Sequence, residues 1–190
     1  MLSLAYEEDN TVIIGGDEYT IDVTYDNIIR FTDMMQDKTI NAYVKIQEGL
    51  TILFDVCFIC DIDTQEKIIE AVTDKYIKQK ETAVEYDMEG NVMEQNVGKQ
   101  AYSLTHDADY IFASFMQAYH IDLIEQRGKL TWEKFMALLY GLPSDTKFKE
   151  VVSIRLQELP TGKGTADERK RISKMKNMYA LPGQNEEEGD

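Results

Sequence analysis

The chain has 190 residues, 43% hydrophobic and 29% charged, enough for one substantial core or a domain with a smaller appendage. Its 35 acidic side chains against 20 basic ones leave a formal charge of -15, which opposes the phosphate attraction expected of a nucleic-acid binder. No apolar run is long enough to cross a bilayer and no terminus has a secretory-signal pattern, so neither nucleic acid nor membrane is an expected partner and residence in the cytoplasm is expected.

Residues 11–23 predict a small hairpin: Val12 and Ile14, then Tyr19, Ile21 and Val23, keep a period of two around the turn signal Gly15-Gly16-Asp17. Thr24 is the expected cap of a helix over 25–36, with Tyr25, Ile28, Ile29, Thr32 and Met35 inward. A second helix is expected from Thr39 to Phe58, with Tyr43, Ile46, Leu50, Leu53, Phe54 and Cys57 on its inner stripe. Gly49 inside that stripe marks either a close helix approach or an interruption. Cys57 and Cys60 have apolar neighbours and no basic residue to activate a thiol, which favours buried or partly buried free thiols over a redox pair. Asp63 and Glu66 fit reciprocal capping of a third helix that buries Ile68, Ile69, Val72 and Tyr76.

Residues 81–102 change character, with Glu81, Glu85, Asp87, Glu89 and Glu94 among interrupting glycines and asparagines. They predict an acidic linker or long loop, with short strand pairing around Val92 as an option. Residues 103–142 then read as two amphipathic helices joined by a polar turn. Ala108, Ile111, Phe112, Phe115 and Tyr119 line the first; Trp132, Phe135, Met136 and Leu139 line the second, after a cap at Thr131. Ile121, Leu123 and Ile124 are expected beneath the turn, and Gly141-Leu142-Pro143 ends the second helix, the glycine offering a left-handed cap. A third helix from Ser144 or Asp145 carries Phe148, Val152, Leu156 and Leu159, completing a three-helix unit over 103–159. After Pro160, Thr165 and Glu168 have capping-box spacing ahead of Ile172, Met175 and Tyr179 in a partner-induced or lightly docked basic helix, and an acidic tail follows.

The expected fold is mainly α: a helical bundle-like domain with a small N-terminal β-hairpin and a flexible C-terminal helix. Its expected divisions are 1–80, a linker over 81–102, a helical unit over 103–160 and a charged segment over 161–190.

His106, Asp107 and Asp109 invite a metal or catalytic reading, with His120 and Asp122 as a second polar group. Helical geometry does not bring all of them together, and first-turn capping explains the aspartates. Ser103, His106 and Asp109 lack the strained elbow and oxyanion hole of a nucleophilic triad, so an enzyme is not the preferred class. A protein-contact surface is preferred, with Tyr110 and Tyr140 as first choices, because neither sits cleanly on an inward stripe, and Phe112 or Phe115 as anchors of a groove.

The stretch HDADYIFASFMQAYHIDL, residues 106–123, with LTWEKFMALLYGLPSDTKF, residues 130–148, resembles a family of small tailed-phage proteins known only as a phage's fifteenth gene product. The order of a short hairpin followed by helices matches that family as well, so the resemblance covers residues 10–160. It implies a tail assembly chaperone or accessory factor that reversibly holds the tape-measure protein soluble in the host bacterial cytoplasm, alone or with another tail assembly protein. It also implies no cofactor, no metal and absence from the mature virion. Contact is then expected through Tyr110, Tyr119, Trp132 and Tyr140, with Arg169, Lys170, Arg171 and Lys174 as a secondary electrostatic surface, internal packing being the alternative for each aromatic. Two other classes stand beside it: a structural or connector protein retained in the tail, and a metal-dependent enzyme built on His106 and Asp109. Homo-oligomerisation is left open.

Overall fold

A computed structural model describes residues 4–6, 9–56, 58–77, 101–162 and 164–182. Residues 81–100 of the expected linker over 81–102, Cys57 and the tail beyond Pro182 lie outside them. The chain divides into two compact units, Met1–Ala83 with Leu123–Tyr140 and Val84–Asp122 with Gly141–Asp190. As the sequence predicts, the fold is mainly helical with one N-terminal hairpin; among the described residues no helix is long and apolar enough to cross a membrane.

In the first unit, β1 (Thr11–Ile14) and β2 (Asp17–Thr20) pair antiparallel, with Val12 opposite Tyr19. Gly15 and Gly16 connect them at φ of 63° and 100°, the two consecutive positive values a tight hairpin turn requires and glycine supplies without strain. Tyr19 sets its ring against Phe54 and Phe58, while the Tyr76 hydroxyl donates to the carbonyls of Asp9 and Thr11. α1 (Tyr25–Gln36), α2 (Ala42–Phe54) and α3 (Ile62–Val72, continuing into a π-helical turn at Thr73–Ile77) follow, and α1 packs on α2 and α2 on α3. Gly49 is where α2 comes closest to its neighbours: a Cβ there would stand 3.0 Å from Phe31 and 3.1 Å from Ile69. Close approach, not interruption, is therefore its role.

α2 is shorter than expected. Asn41 caps it by accepting from the Val44 amide, and Asp55 ends it in the left-handed conformation at φ 53°. Phe58 consequently falls outside the helix, Cys60 is exposed rather than buried, and Tyr43 faces out at 62% exposure. The cap of α3 likewise lies two residues before the expected one: Asp61, not Asp63, accepts from the Thr64 amide.

α5 (Trp132–Tyr140) belongs to this first unit and packs on α1. The two helices start against each other: Tyr25 donates its amide to the Leu130 carbonyl, Trp132 donates to that of Val23, and Thr24 bridges Thr131. These exchanges satisfy first-turn amides that the hydroxyls of Thr24 and Thr131 do not. Thr24 commits its hydroxyl to Asp22, and the Thr131 hydroxyl is buried without a partner.

The second unit holds α4 (Ala108–Tyr119), α6 (Lys147–Leu156) and α7 (Ala166–Tyr179), with α4 on α6 and α6 on α7. The expected three-helix unit over 103–159 is thus corrected: α4 and α5, neighbours in sequence, fall in different units. A twelve-residue connection, 120–131, allows this; its Leu123 is buried but Ile124 is 58% exposed rather than covered. α6 buries Phe148 as expected, but with Val151 and Ile154 in place of Val152, which is half-buried, and Leu156, which is exposed. α7 buries Ile172 and sets Tyr179 against the unit, so it is docked.

Two further caps differ. Gly141 does not take a positive φ; the left-handed residue that closes α4 is His120, at φ 55°. Thr165 does not cap α7 through its side chain, which donates to the Gly162 carbonyl.

Candidate functional site

The two units place the expected contact residues very differently. In the first, Trp132 is a core residue at 8% exposure, which overturns its assignment to a contact surface. Its ring lies 5.8 Å from Phe135 at 23°, Phe135 stacks 4.8 Å from Tyr25, and the indole N–H donates to the Ile77 carbonyl. With its ring packed and its one donor used internally, this tryptophan has nothing left for a partner. Tyr140, the last residue of α5, is 52% exposed. The α5 stripe runs through Trp132, Phe135, Met136 and Leu139, so the next position leaves the core.

Sequence periodicity misses a second apolar exposure in this unit. Val56, Ile59 and Ile62 are exposed around the α2–α3 connection, with Ile59 fully so. The signal lies in Asp55: its left-handed turn takes the following residues off the helix, and an apolar stripe followed straight on through Phe58 hides that break.

In the second unit, Tyr110 is half-buried with its ring 6.1 Å edge-on to Tyr179, and Tyr119 is half-buried against Phe115 at 5.7 Å. Phe115 is fully buried, so it is no anchor for an external groove, while Phe112 is half-buried. Arg169, Lys170, Arg171 and Lys174 are all exposed along α7, with Met178 beside them at 67% exposure.

The polar cluster at the start of α4 is structural. Asp107, 1% exposed, accepts both Nη atoms of Arg155 at 2.6 and 2.7 Å and also the Ser103 amide. Ser103 Oγ accepts the His106 amide, so it is committed to the turn rather than offered as a nucleophile. Asp109 and His106 are exposed, and among the described residues no group of three or more His, Cys, Asp and Glu side chains could hold a metal ion. Arg155 is the residue that sequence reasoning missed. It also donates to the carbonyls of Ala101 and Tyr179, joining four chain segments through one guanidinium.

Lys147 Nζ donates to the Tyr179 hydroxyl at 2.9 Å and to Glu150 at 3.1 Å, and these bonds raise the Lys147 pKa above its ordinary value. The second unit thus presents a docked basic helix on a seat of tyrosine, lysine and arginine.

A family model described as Bacteriophage Gp15 protein matches residues 8–181 of the chain. No curated protein and no solved structure matches it.

Proposed function

The chain belongs to the bacteriophage Gp15 family, membership that supports an accessory role in tail morphogenesis, and on that premise we propose that it is a tail assembly chaperone that reversibly binds the tape-measure protein. The observation that carries the reading is the extent of the family match, residues 8–181, which takes in both compact units and α7. The surface is compatible with it: Tyr140 supplies an exposed aromatic on the first unit, and Arg169, Lys170, Arg171 and Lys174 supply charge on the second. A formal charge of -15 keeps complexes with an apolar client apart from one another. The protein works in the host cytoplasm, alone or with another tail assembly protein, and leaves before the virion matures.

Co-expression with the full tape-measure protein tests this. The expected result is a soluble complex that survives a chelator and weakens when Tyr140→Ala is combined with Arg169→Glu and Lys170→Glu. Failure to engage any unassembled tail component, or retention at fixed copy number in finished tails, overturns the reading.

A further inference from the structure

α7 gives the second unit fewer buried side chains than the helices beneath it. Of its fourteen residues only Ile172 is buried, whereas α4 and α6 each bury three; Leu181, just past the helix, is the next buried position. Two buried aliphatic side chains are a small anchorage for a helix that is marginal in isolation.

The seat, in contrast, does not depend on its occupant. Asp107 and the Ala101 carbonyl hold the Nη atoms of Arg155, leaving Nε to donate to the Tyr179 carbonyl at 2.6 Å. Ser114, fully buried, donates to the Tyr110 carbonyl and accepts the Phe148 amide, locking α4 to α6 without α7. Among its described residues the link from α6 to α7 has no regular element, and Gly162 and Gly164 adopt φ of 137° and 90°, values that other residues rarely take. The bonds that join α4 to α6 thus do not pass through α7.

We propose that the face of α4 and α6 under α7 is a receiving site for one amphipathic helix of a partner protein, and that α7 is an internal stand-in which this helix displaces. The seat specifies its ligand by what α7 presents: an aliphatic side chain, an aromatic with a polar tip seven residues later, an aliphatic two beyond that, and a C-terminal carbonyl for Arg155. The partner being a tail client rests on the preceding reading; the receiving site itself does not.

Native-state hydrogen exchange of the unaltered chain and binding of a labelled peptide of residues 164–182 test the site together. α7 amides are expected to open about tenfold or more as often as those of α4 and α6. The full-length Ile172→Glu chain is expected to bind the peptide about tenfold or more tighter than the unaltered chain, whose own α7 competes at high effective concentration. Should Ile172→Glu cost α4 and α6 their protection, full-length Tyr179→Ala takes its place. Exchange of α7 only on global unfolding, or equal peptide binding by variant and unaltered chains, overturns the proposal. Either result can stand beside capture of a tail protein, which spares the chaperone reading. Peptide binding without capture of any tail protein supports the receiving site and sinks the chaperone.

Discussion

Arg155 and Asp107 show how much can hang on one pair of side chains. Their side chains are 7% and 2% exposed, so the bonds at 2.6 and 2.7 Å are made away from water, where an unpaired charge is costly. Arg155→Ala is expected to lower the stability of the second unit by about 3–5 kcal/mol, read as a fall in denaturant midpoint, because it leaves the Asp107 carboxylate buried and unpaired. Arg155→Lys is expected to recover little of this, since an ammonium cannot serve two carboxylate oxygens and the Ala101 and Tyr179 carbonyls in one fixed plane. A different residue-scale device repeats at the surface. Asp9, Asp22 and Asp37 each accept both the amide and the hydroxyl of the threonine two residues on, and Asp61 does the same with Thr64 at three. The Thr64 hydroxyl, then its amide, hold the Asp61 carboxyl below its ordinary pKa. A carboxylate with a depressed folded-state pKa stabilises above its unfolded value and loses that contribution as pH falls through the folded one. The stability difference between the unaltered chain and Asp61→Ala should therefore be largest at neutral pH and shrink on acidification below the ordinary carboxylate range. A gap that widens with acid would contradict the cap.

At the scale of elements, helix existence is legible in the sequence and helix starts are not. The stripes of α3 and α5 follow from 3.6-residue periodicity, that of α1 holds at Tyr25 and Ile28 but turns to Phe31 where Thr32 and Met35 are expected, and Gly15-Gly16 marks the hairpin turn. Threonines at the starts of α1, α5 and α7 look like caps, but their hydroxyls do not serve the helices they precede. The amides of Tyr25 and Trp132 find partners far away in sequence, at Leu130 and Val23, which no local pattern encodes. α6 is the sharpest case: Ser114, 34 residues earlier, accepts the Phe148 amide. Ser114→Ala should strand that amide and cost about 1–3 kcal/mol, visible as faster hydrogen exchange at the start of α6. Among the candidate contact residues, Tyr140 is legible because it falls off the α5 stripe. Trp132 is misread because a stripe says which face is inward, not whether a ring has an outward edge. Gly49 carries the opposite lesson, since its ambiguity resolves once α2 is seen against Phe31 and Ile69 at 3.0 and 3.1 Å. Gly49→Val should overpack this contact and lower stability by about 1–3 kcal/mol in a thermal or denaturant melt, outweighing any gain in helix propensity.

At the scale of the whole molecule, the chain builds its first unit, crosses to the second, returns for Leu123–Tyr140 and crosses again. Sequence order therefore predicts the wrong company for α5, whose chain neighbours α4 and α6 lie in the other unit while its packing partner α1 lies about a hundred residues away. This arrangement makes cooperativity measurable element by element, because a perturbation confined to one unit lowers the protection of the amides that share its packing. Gly49→Val strains the first unit and Arg155→Ala the second. If packing sets the cooperative units, α5 amides lose protection with Gly49→Val together with α1 to α3, while α4 and α6 respond chiefly to Arg155→Ala. If chain proximity sets them, α5 follows α4 and α6 under Arg155→Ala. Equal loss everywhere under either substitution would mean that the two units open as one, and the division seen in their contacts would have no counterpart in their stability.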